Sequence, residues 1–171
     1  MKNKYCMAKY SKLISNLPIL SSEMLEEAFN NVYVETKEPY MYLTEANVMT
    51  NSSFFQNLKK NLCAAKVEFF KTKPFQLYDW HTDPRRGTAI NWLVKAHPSA
   101  ITLHRSNHNN RYYWDIEVVD YKLNMPTLFD IKQEHCVVNH TNEERIILSA
   151  SLMCTFDEAY EYLTSLNIDT Y

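Results

Sequence analysis

Short runs of apolar and aromatic residues, separated by polar turns, follow one another between residues 67 and 154. Their composition, rich in valine, isoleucine, tyrosine and phenylalanine, is typical of β-strands. We predict strands at residues 67–70, 75–80, 88–94, 101–105, 112–119, 127–131, 135–138 and 144–154, with weaker candidates at 32–34 and 40–43. The polar segment 106–110 predicts a hairpin between the two strands that flank it.

Helical patterns occur only near the two ends of the chain. Suitable N-cap residues stand at Ser21 or Ser22, at Ser53 with Gln56, and at Thr155 with Glu158. The predicted helices cover about residues 23–29, 53–65 and 155–166. The second of them has an apolar face that consists of Phe54, Leu58, Leu62 and Ala65.

This order of elements predicts the fold class. Many short strands with polar turns, and helices only at the ends, favour a mainly β protein built as an antiparallel barrel or sandwich. The 171 residues contain no repeat and no linker, which indicates a single domain. We expect residues 1–66 to form a helical and extended support, 67–154 the β core, and 155–171 the C-terminal helix.

Composition narrows the function classes. Hydrophobic residues make up 46% of the chain and charged residues 22%, as in ordinary globular proteins, and the formal charge of -2 gives no general affinity for polyanions. The four cysteines are scattered without a CxxC pair, which argues against a zinc ribbon or a disulfide framework. With no signal-peptide core and no apolar run of membrane length, the sequence predicts a cytoplasmic protein without a membrane partner.

The segment His81-Thr82-Asp83 carries the most specific chemistry. A histidine at the end of a strand and an aspartate just past it can direct both side chains to one metal ion. One further histidine completes a face of two histidines and one carboxylate, which is diagnostic for non-haem Fe(II) oxygenases. His135, at the start of a predicted strand, is the best candidate for this third ligand; His140, inside a polar turn, is a rival.

The last predicted strand has two faces of opposite character. One is purely apolar and consists of Ile146, Leu148, Ala150 and Leu152, whereas the other consists of Arg145, Ile147, Ser149 and Ser151. An inward arginine is costly unless an anion meets it, and a carboxylate bound through two hydrogen bonds is the obvious partner. The alternative is a surface arginine in a turn beside Glu143 and Glu144.

Together these residues resemble the Fe(II)/2-oxoglutarate-dependent oxygenase superfamily, whose core is a double-stranded β-helix, or jelly roll. That pattern has His-x-Asp, a distal histidine some fifty residues later and a basic residue about ten residues further, and it covers roughly residues 75–153 here. The resemblance implies that His81, Asp83 and His135 hold Fe(II) and that Arg145 binds the distal carboxylate of 2-oxoglutarate. It also implies reaction with O2, release of succinate and CO2, and hydroxylation of a substrate.

Four further residues are assigned roles in binding the cosubstrate. Ser149 or Ser151 is expected to assist Arg145, while Asn91 and Tyr78 are expected to contact the other end of the cosubstrate. The family's usual glycine before the strand at 127–129 is absent, and an aspartate stands at position 130 where proline is frequent. These departures do not involve the expected metal ligands.

Three residues next to the motif, Arg85, Arg86 and Trp80, are candidate contacts for the oxidised substrate. The two arginines have an alternative, which is to be solvated or to pair with the acidic C-terminal segment. The other histidines at 97, 104 and 108 are interpreted as ordinary surface or loop residues. The substrate itself, whether a protein side chain, a metabolite or a nucleobase, is not indicated, and neither is the oligomeric state.

Two other function classes fit the same pattern. A cupin-like metalloenzyme has the jelly-roll fold and a metal but does not use 2-oxoglutarate, and Arg145 is the residue that distinguishes it. A non-catalytic jelly-roll binding or structural protein has no metal.

Overall fold

A computed structural model describes residues 9–36, 41–106 and 114–166, which form two antiparallel sheets and several helices. The strands are β1 (Ser11–Leu13), β2 (Val34–Glu35), β3 (Met41–Glu45), β4 (Lys66–Thr72), β5 (Gln76–His81), β6 (Thr88–Lys95), β7 (Ile101–Ser106), β8 (Asp115–Val118), β9 (Pro126–Phe129), β10 (His135–Asn139) and β11 (Arg145–Leu152). The helices are α1 (Ser22–Asn30), α2 (Asn47–Thr50), α3 (Ser53–Leu62) and α4 (Phe156–Ser165). Parts of the predicted strands and of the C-terminal helix lie outside the described residues, namely positions 40, 112–113 and 167–171. So do Cys6 and the hairpin positions 107–110, which include His108.

The strand order is that of a jelly roll. The larger sheet runs β1-β9-β6-β11-β4-β3-β2 and the smaller runs β5-β10-β7-β8. From β4 to β11 the chain alternates between the sheets except at the β7–β8 hairpin, so strands far apart in sequence become neighbours. The predicted mainly β jelly roll with flanking helices is confirmed, as is the hairpin.

The hydrophobic core lies between the helices and one face of the larger sheet. The four apolar residues of β11 on this face are at most 2% exposed. Trp92 of β6 meets Phe54 of α3 edge-on at 6.2 Å between ring centroids, and its indole N–H donates to the Pro18 carbonyl at 3.0 Å. Because the core occupies this face, the opposite face of the larger sheet is left to line the space between the sheets.

Two of the three predicted N-caps agree with the structure. Ser21 caps α1, and Thr155 with Glu158 forms the expected capping box of α4. The predicted Ser53–Gln56 box is wrong, since Ser52 caps α3 by accepting from the Phe55 N–H at 3.1 Å.

The end predicted for α3 is also wrong. The helix ends at Leu62 rather than near residue 65 because Cys63 has a left-handed backbone with φ of 49°. Among the described residues, no helix has the length and apolar character needed to span a bilayer.

Gly87 fixes the connection between β5 and β6 against the end of β11. Its N–H donates to the Leu152 carbonyl at 2.9 Å, and a Cβ added here would stand 2.0 Å from the Cys154 carbonyl oxygen. The neighbouring atom is backbone, which has little freedom to move away.

We therefore expect Gly87→Ala to lower the free energy of unfolding by about 2 kcal/mol or more through overpacking. Urea unfolding measures this. Arg85→Ala, at an exposed position two residues away, is the matched control and should change stability by less than about 0.5 kcal/mol. Equal midpoints for Gly87→Ala and wild type would contradict the prediction.

Candidate metal centre

A β-bulge in β5 directs two aromatic side chains into the space between the sheets. His135 lies opposite His81 and Val137 opposite Tyr78, so β5 takes three residue steps where β10 takes two. Strict alternation would place Tyr78 and His81 on opposite faces. Instead both line one cavity, with ring centroids 4.0 Å apart.

His81, Asp83 and His135 come together at this point. One ligand atom from each lies within 4.8 Å of the other two, and the two imidazole centroids are 4.2 Å apart. Asp83 follows the end of β5, where its N–H donates to the Ile131 carbonyl at 3.0 Å. The rival histidine, His140, is exposed and is not part of this group.

Hydrogen bonds fix which nitrogen of each imidazole is available. His81 Nδ1 lies 2.6 Å from the Asp79 carbonyl oxygen, and His135 Nδ1 lies 2.9 Å from the Gln133 carbonyl oxygen. Because a carbonyl only accepts, each Nδ1 carries the proton and donates it, which leaves the lone pair on Nε2. This is the arrangement that orients histidine ligands of metals, so the three side chains fit a divalent ion.

Burial keeps His135 in the form that can coordinate. Desolvation, followed by repulsion from His81, lowers the pKa of His135 to about 4. The imidazole is therefore neutral near pH 7, and a metal ion does not have to displace a proton from it.

Arg145 lies in the same cavity, which has a volume of about 250 Å3. The residue is 4% exposed, and one of its terminal nitrogens donates to Thr102 Oγ1 at 2.7 Å. Among the described residues, its Nε has no hydrogen-bond partner and no carboxylate forms an ion pair with it. Burial lowers the pKa of Arg145. The alternative of a surface arginine is therefore wrong, and a buried cation of this kind is costly unless an anion meets it.

Tyr121 stands beside Arg145 and was not identified from the sequence. The guanidinium carbon of Arg145 lies 5.6 Å from the centroid of the phenol ring. The hydroxyl accepts from Asn91 Nδ2 at 2.9 Å, and burial raises the pKa of Tyr121 to about 12, so the phenol keeps its proton as a donor. Tyr121 lies between β8 and β9 outside any strand, where no periodicity indicates the direction of a side chain.

The other predicted site residues divide into two groups. Those that line the cavity are Tyr78, Arg86, Asn91 and Ser149. Three residues do not line it. The Trp80 ring lies 4.4 Å from the Arg105 guanidinium, Arg85 is exposed, and Ser151 bonds to Arg86 instead of Arg145.

His104 is the histidine that the sequence interpretation placed wrongly. It is fully buried on β7, opposite His135, and not in a loop or on the surface. Its ring packs against Phe129 at 4.3 Å and Tyr10 at 5.6 Å, and neither ring nitrogen has a hydrogen-bond partner in the part of the chain that the structure describes. Burial, followed by repulsion from His135, lowers the pKa of His104 to about 3.

This burial predicts acid sensitivity. Below pH 6.5 the unfolded chain protonates this imidazole while the folded protein does not, so the free energy of unfolding falls as the pH drops. His104→Leu should remove about 2 kcal/mol of the stability lost between pH 7 and pH 4.5. Urea unfolding of the metal-free protein at both pH values measures it. His140→Leu, at an exposed position, is the control, and equal losses in both variants would contradict the prediction.

Comparison with known proteins gives matches in structure only. No family model and no curated protein sequence matches the chain. A prolyl-4-hydroxylase from Pseudomonas putida superposes with a TM-score of 0.56 and 13% identity, covering 84% of this chain and 92% of that one. The non-haem α-ketoglutarate-dependent epimerase SnoN from nogalamycin biosynthesis gives 0.54 and 11%, covering 82% and 76%. A 2OG-Fe(II) oxygenase family oxidoreductase from Burkholderia pseudomallei gives 0.53 and 9%, covering 76% and 77%. At such identities the likeness shows the fold, and the expected double-stranded β-helix is confirmed.

Proposed function

We propose that this protein is a non-haem Fe(II)/2-oxoglutarate-dependent oxygenase that hydroxylates a substrate. One observation carries the proposal: a face of two histidines and one carboxylate shares a cavity with a buried arginine that has no acidic partner among the described residues. The first feature suits Fe(II) with open coordination positions, and the second suits a dicarboxylate cosubstrate. The three similar structures bear names that include this chemistry or a related hydroxylation, which supports the same assignment.

The chain's own residues have distinct tasks in this proposal. His81 and His135 would hold the iron through Nε2, and Asp83 would hold it through a carboxylate oxygen. When bound, iron and 2-oxoglutarate supply the oxidation, in which O2 is consumed and succinate and CO2 are released. The protein contributes the ligands, their orientation and the cavity between the two sheets.

The distal carboxylate of 2-oxoglutarate would meet three donors. Arg145 supplies charge-assisted hydrogen bonds, and the Thr102 hydroxyl, which accepts from Arg145, has its own proton to donate. The Tyr121 hydroxyl accepts from Asn91, so its proton is likewise available to the anion. Ser149, opposite Asn91 on the neighbouring strand, lines the same cavity and is proposed to contact the cosubstrate with Tyr78.

Binding of Fe(II) and 2-oxoglutarate tests the proposal directly. Protein purified without oxygen should bind near one equivalent of Fe(II), then 2-oxoglutarate, and should release succinate when O2 and a substrate are supplied. Candidate protein side chains, metabolites and nucleobases are screened by succinate formation. Metal binding without 2-oxoglutarate binding would favour the cupin-like metalloenzyme, and no metal binding would favour a non-catalytic jelly-roll protein.

A further inference from the structure

Arg86 connects the metal-binding aspartate to the last strand of the larger sheet. Its Nη2 donates to Asp83 Oδ2 at 2.5 Å, and its Nη1 donates to Ser151 Oγ at 2.9 Å. Ser151 is 1% exposed and belongs to β11, the strand that begins with Arg145. One guanidinium therefore bridges the segment after β5 and a fully buried strand.

The segment that carries Asp83 and Arg86 is held on both sides. The Asp83 N–H bonds to the Ile131 carbonyl at 3.0 Å, and Lys132 Nζ donates to the Pro84 carbonyl at 2.7 Å. On the other side the Gly87 N–H bonds to the Leu152 carbonyl at 2.9 Å. Backbone contacts fix the position of the segment, so Arg86 is needed for the orientation of the carboxylate and not for the path of the chain.

We propose that Arg86 is a positioning residue that makes Asp83 a metal ligand through one oxygen only. The inference rests on the proposed function of the site. A carboxylate can coordinate a metal through one oxygen or two. The Arg86 bond engages Oδ2, which leaves Oδ1 for the metal and keeps a second coordination position from being filled by protein. A cosubstrate that chelates the metal, together with O2, needs those positions.

The planar fork of arginine is essential to this role. Two nitrogens in fixed geometry hold Asp83 and Ser151 at once, whereas lysine has the charge but a single nitrogen. Ser151 therefore acts through Arg86, by fixing the guanidinium, and it has no contact with Asp83 of its own in the hydrogen bonds described. Arg85, one residue earlier, is exposed and is the matched control.

Mn(II) binding to the full-length protein tests the proposal without turnover, with free Mn(II) measured by its electron paramagnetic resonance signal. Loss of a partner that orients a metal ligand lowers metal affinity by roughly 10- to 100-fold, and we expect a loss of this size for Arg86→Met. Arg86→Lys should lie between Arg86→Met and wild type. Ser151→Ala should weaken binding in the wild-type background and have no effect in the Arg86→Met background. Arg85→Met should bind like wild type.

Several outcomes would overturn the proposal. If Arg86 acted only as a repelling charge, Arg86→Met would bind Mn(II) more tightly and Arg86→Lys would match wild type. If Ser151 acted independently, its effect would persist in the double variant. A crystal structure of the wild-type Mn(II) complex gives a second measurement, in which one Asp83 oxygen coordinates and the other still accepts from Arg86. Two coordinating oxygens in wild type would refute the role.

Failure of the proposed function has a different signature. Absence of Mn(II) binding by wild type, or a His81→Ala variant that binds as tightly as wild type, would refute the metal site and the role of Arg86 together. Normal wild-type binding with an unaffected Arg86→Met variant refutes the role of Arg86 alone. Thermal unfolding of each metal-free variant shows that it is folded, and Arg86→Lys with Ser151→Ala replaces Arg86→Met if that variant does not fold.

Discussion

Replacing Arg145 with methionine is expected to abolish detectable 2-oxoglutarate binding while metal binding remains. Loss of one partner from a buried, hydrogen-bonded charge pair costs about 2–5 kcal/mol, which corresponds to a loss of affinity of about 30- to 5000-fold. Calorimetric titration of 2-oxoglutarate into the Mn(II)-loaded protein measures it. Normal 2-oxoglutarate affinity in this variant would refute the cosubstrate assignment.

Although Arg145→Met should weaken 2-oxoglutarate binding, it should not lower the free energy of unfolding of the apoprotein. In the absence of cosubstrate Arg145 is a buried cation that donates to Thr102 and has no acidic partner among the described residues. Replacing buried charge by an apolar side chain of similar volume is neutral or stabilising by about 1–4 kcal/mol. Urea unfolding of the apoprotein should therefore show Arg145→Met at least as stable as wild type.

Arg105→Met is the matched control for both measurements. Arg105 lies on β7, an inner strand of the smaller sheet. It is paired with Glu134 and lies against Trp80 and Trp114, so it does not line the cavity. Its replacement should leave 2-oxoglutarate affinity unchanged. Loss of a partly exposed ion pair should alter stability by at most about 1 kcal/mol.

The sequence predicts best those features that follow from the alternation of apolar and polar residues along a strand. The alternation in β11 separates an apolar face from one that carries Arg145 and Ser149, and the structure has both faces as expected. The motif at the end of β5 and the distal His135 come together because the jelly roll makes β5 and β10 neighbours. Here local pattern and overall topology lead to the same arrangement.

Features that depend on tertiary context were missed. The bulge in β5 adds one residue to the ladder, and no local pattern indicates that Tyr78 and His81 share a side. Tyr121 reaches the cavity from an irregular segment, and His104 is buried by Phe129 and Tyr10, which are distant in sequence. In each case the direction of the side chain depends on contacts with residues that are far away in the sequence, and no local pattern predicts those contacts.

His135→Ala is expected to remove metal binding altogether. The variant lacks one of three ligands, so its loss of affinity should exceed the roughly 10- to 100-fold that loss of an orienting partner costs. Titration of Fe(II) without oxygen, or of Mn(II), should find no site occupied at one equivalent, and succinate formation should stop. The variant should still fold at pH 7, because the pKa of His135 is about 4 and its replacement therefore removes no buried charge.

Two further histidines, His104 and His140, make this prediction specific. His104 lies directly opposite His135 and is just as buried, but it lacks the carbonyl partner that fixes a metal-binding tautomer. His140 is close in sequence but exposed. His104→Leu and His140→Ala should therefore bind metal as wild type does. If His135→Ala kept its affinity for the metal and His140→Ala lost it, His140 would be the third ligand. Loss of metal binding in only one of the three variants identifies the imidazole that coordinates the metal.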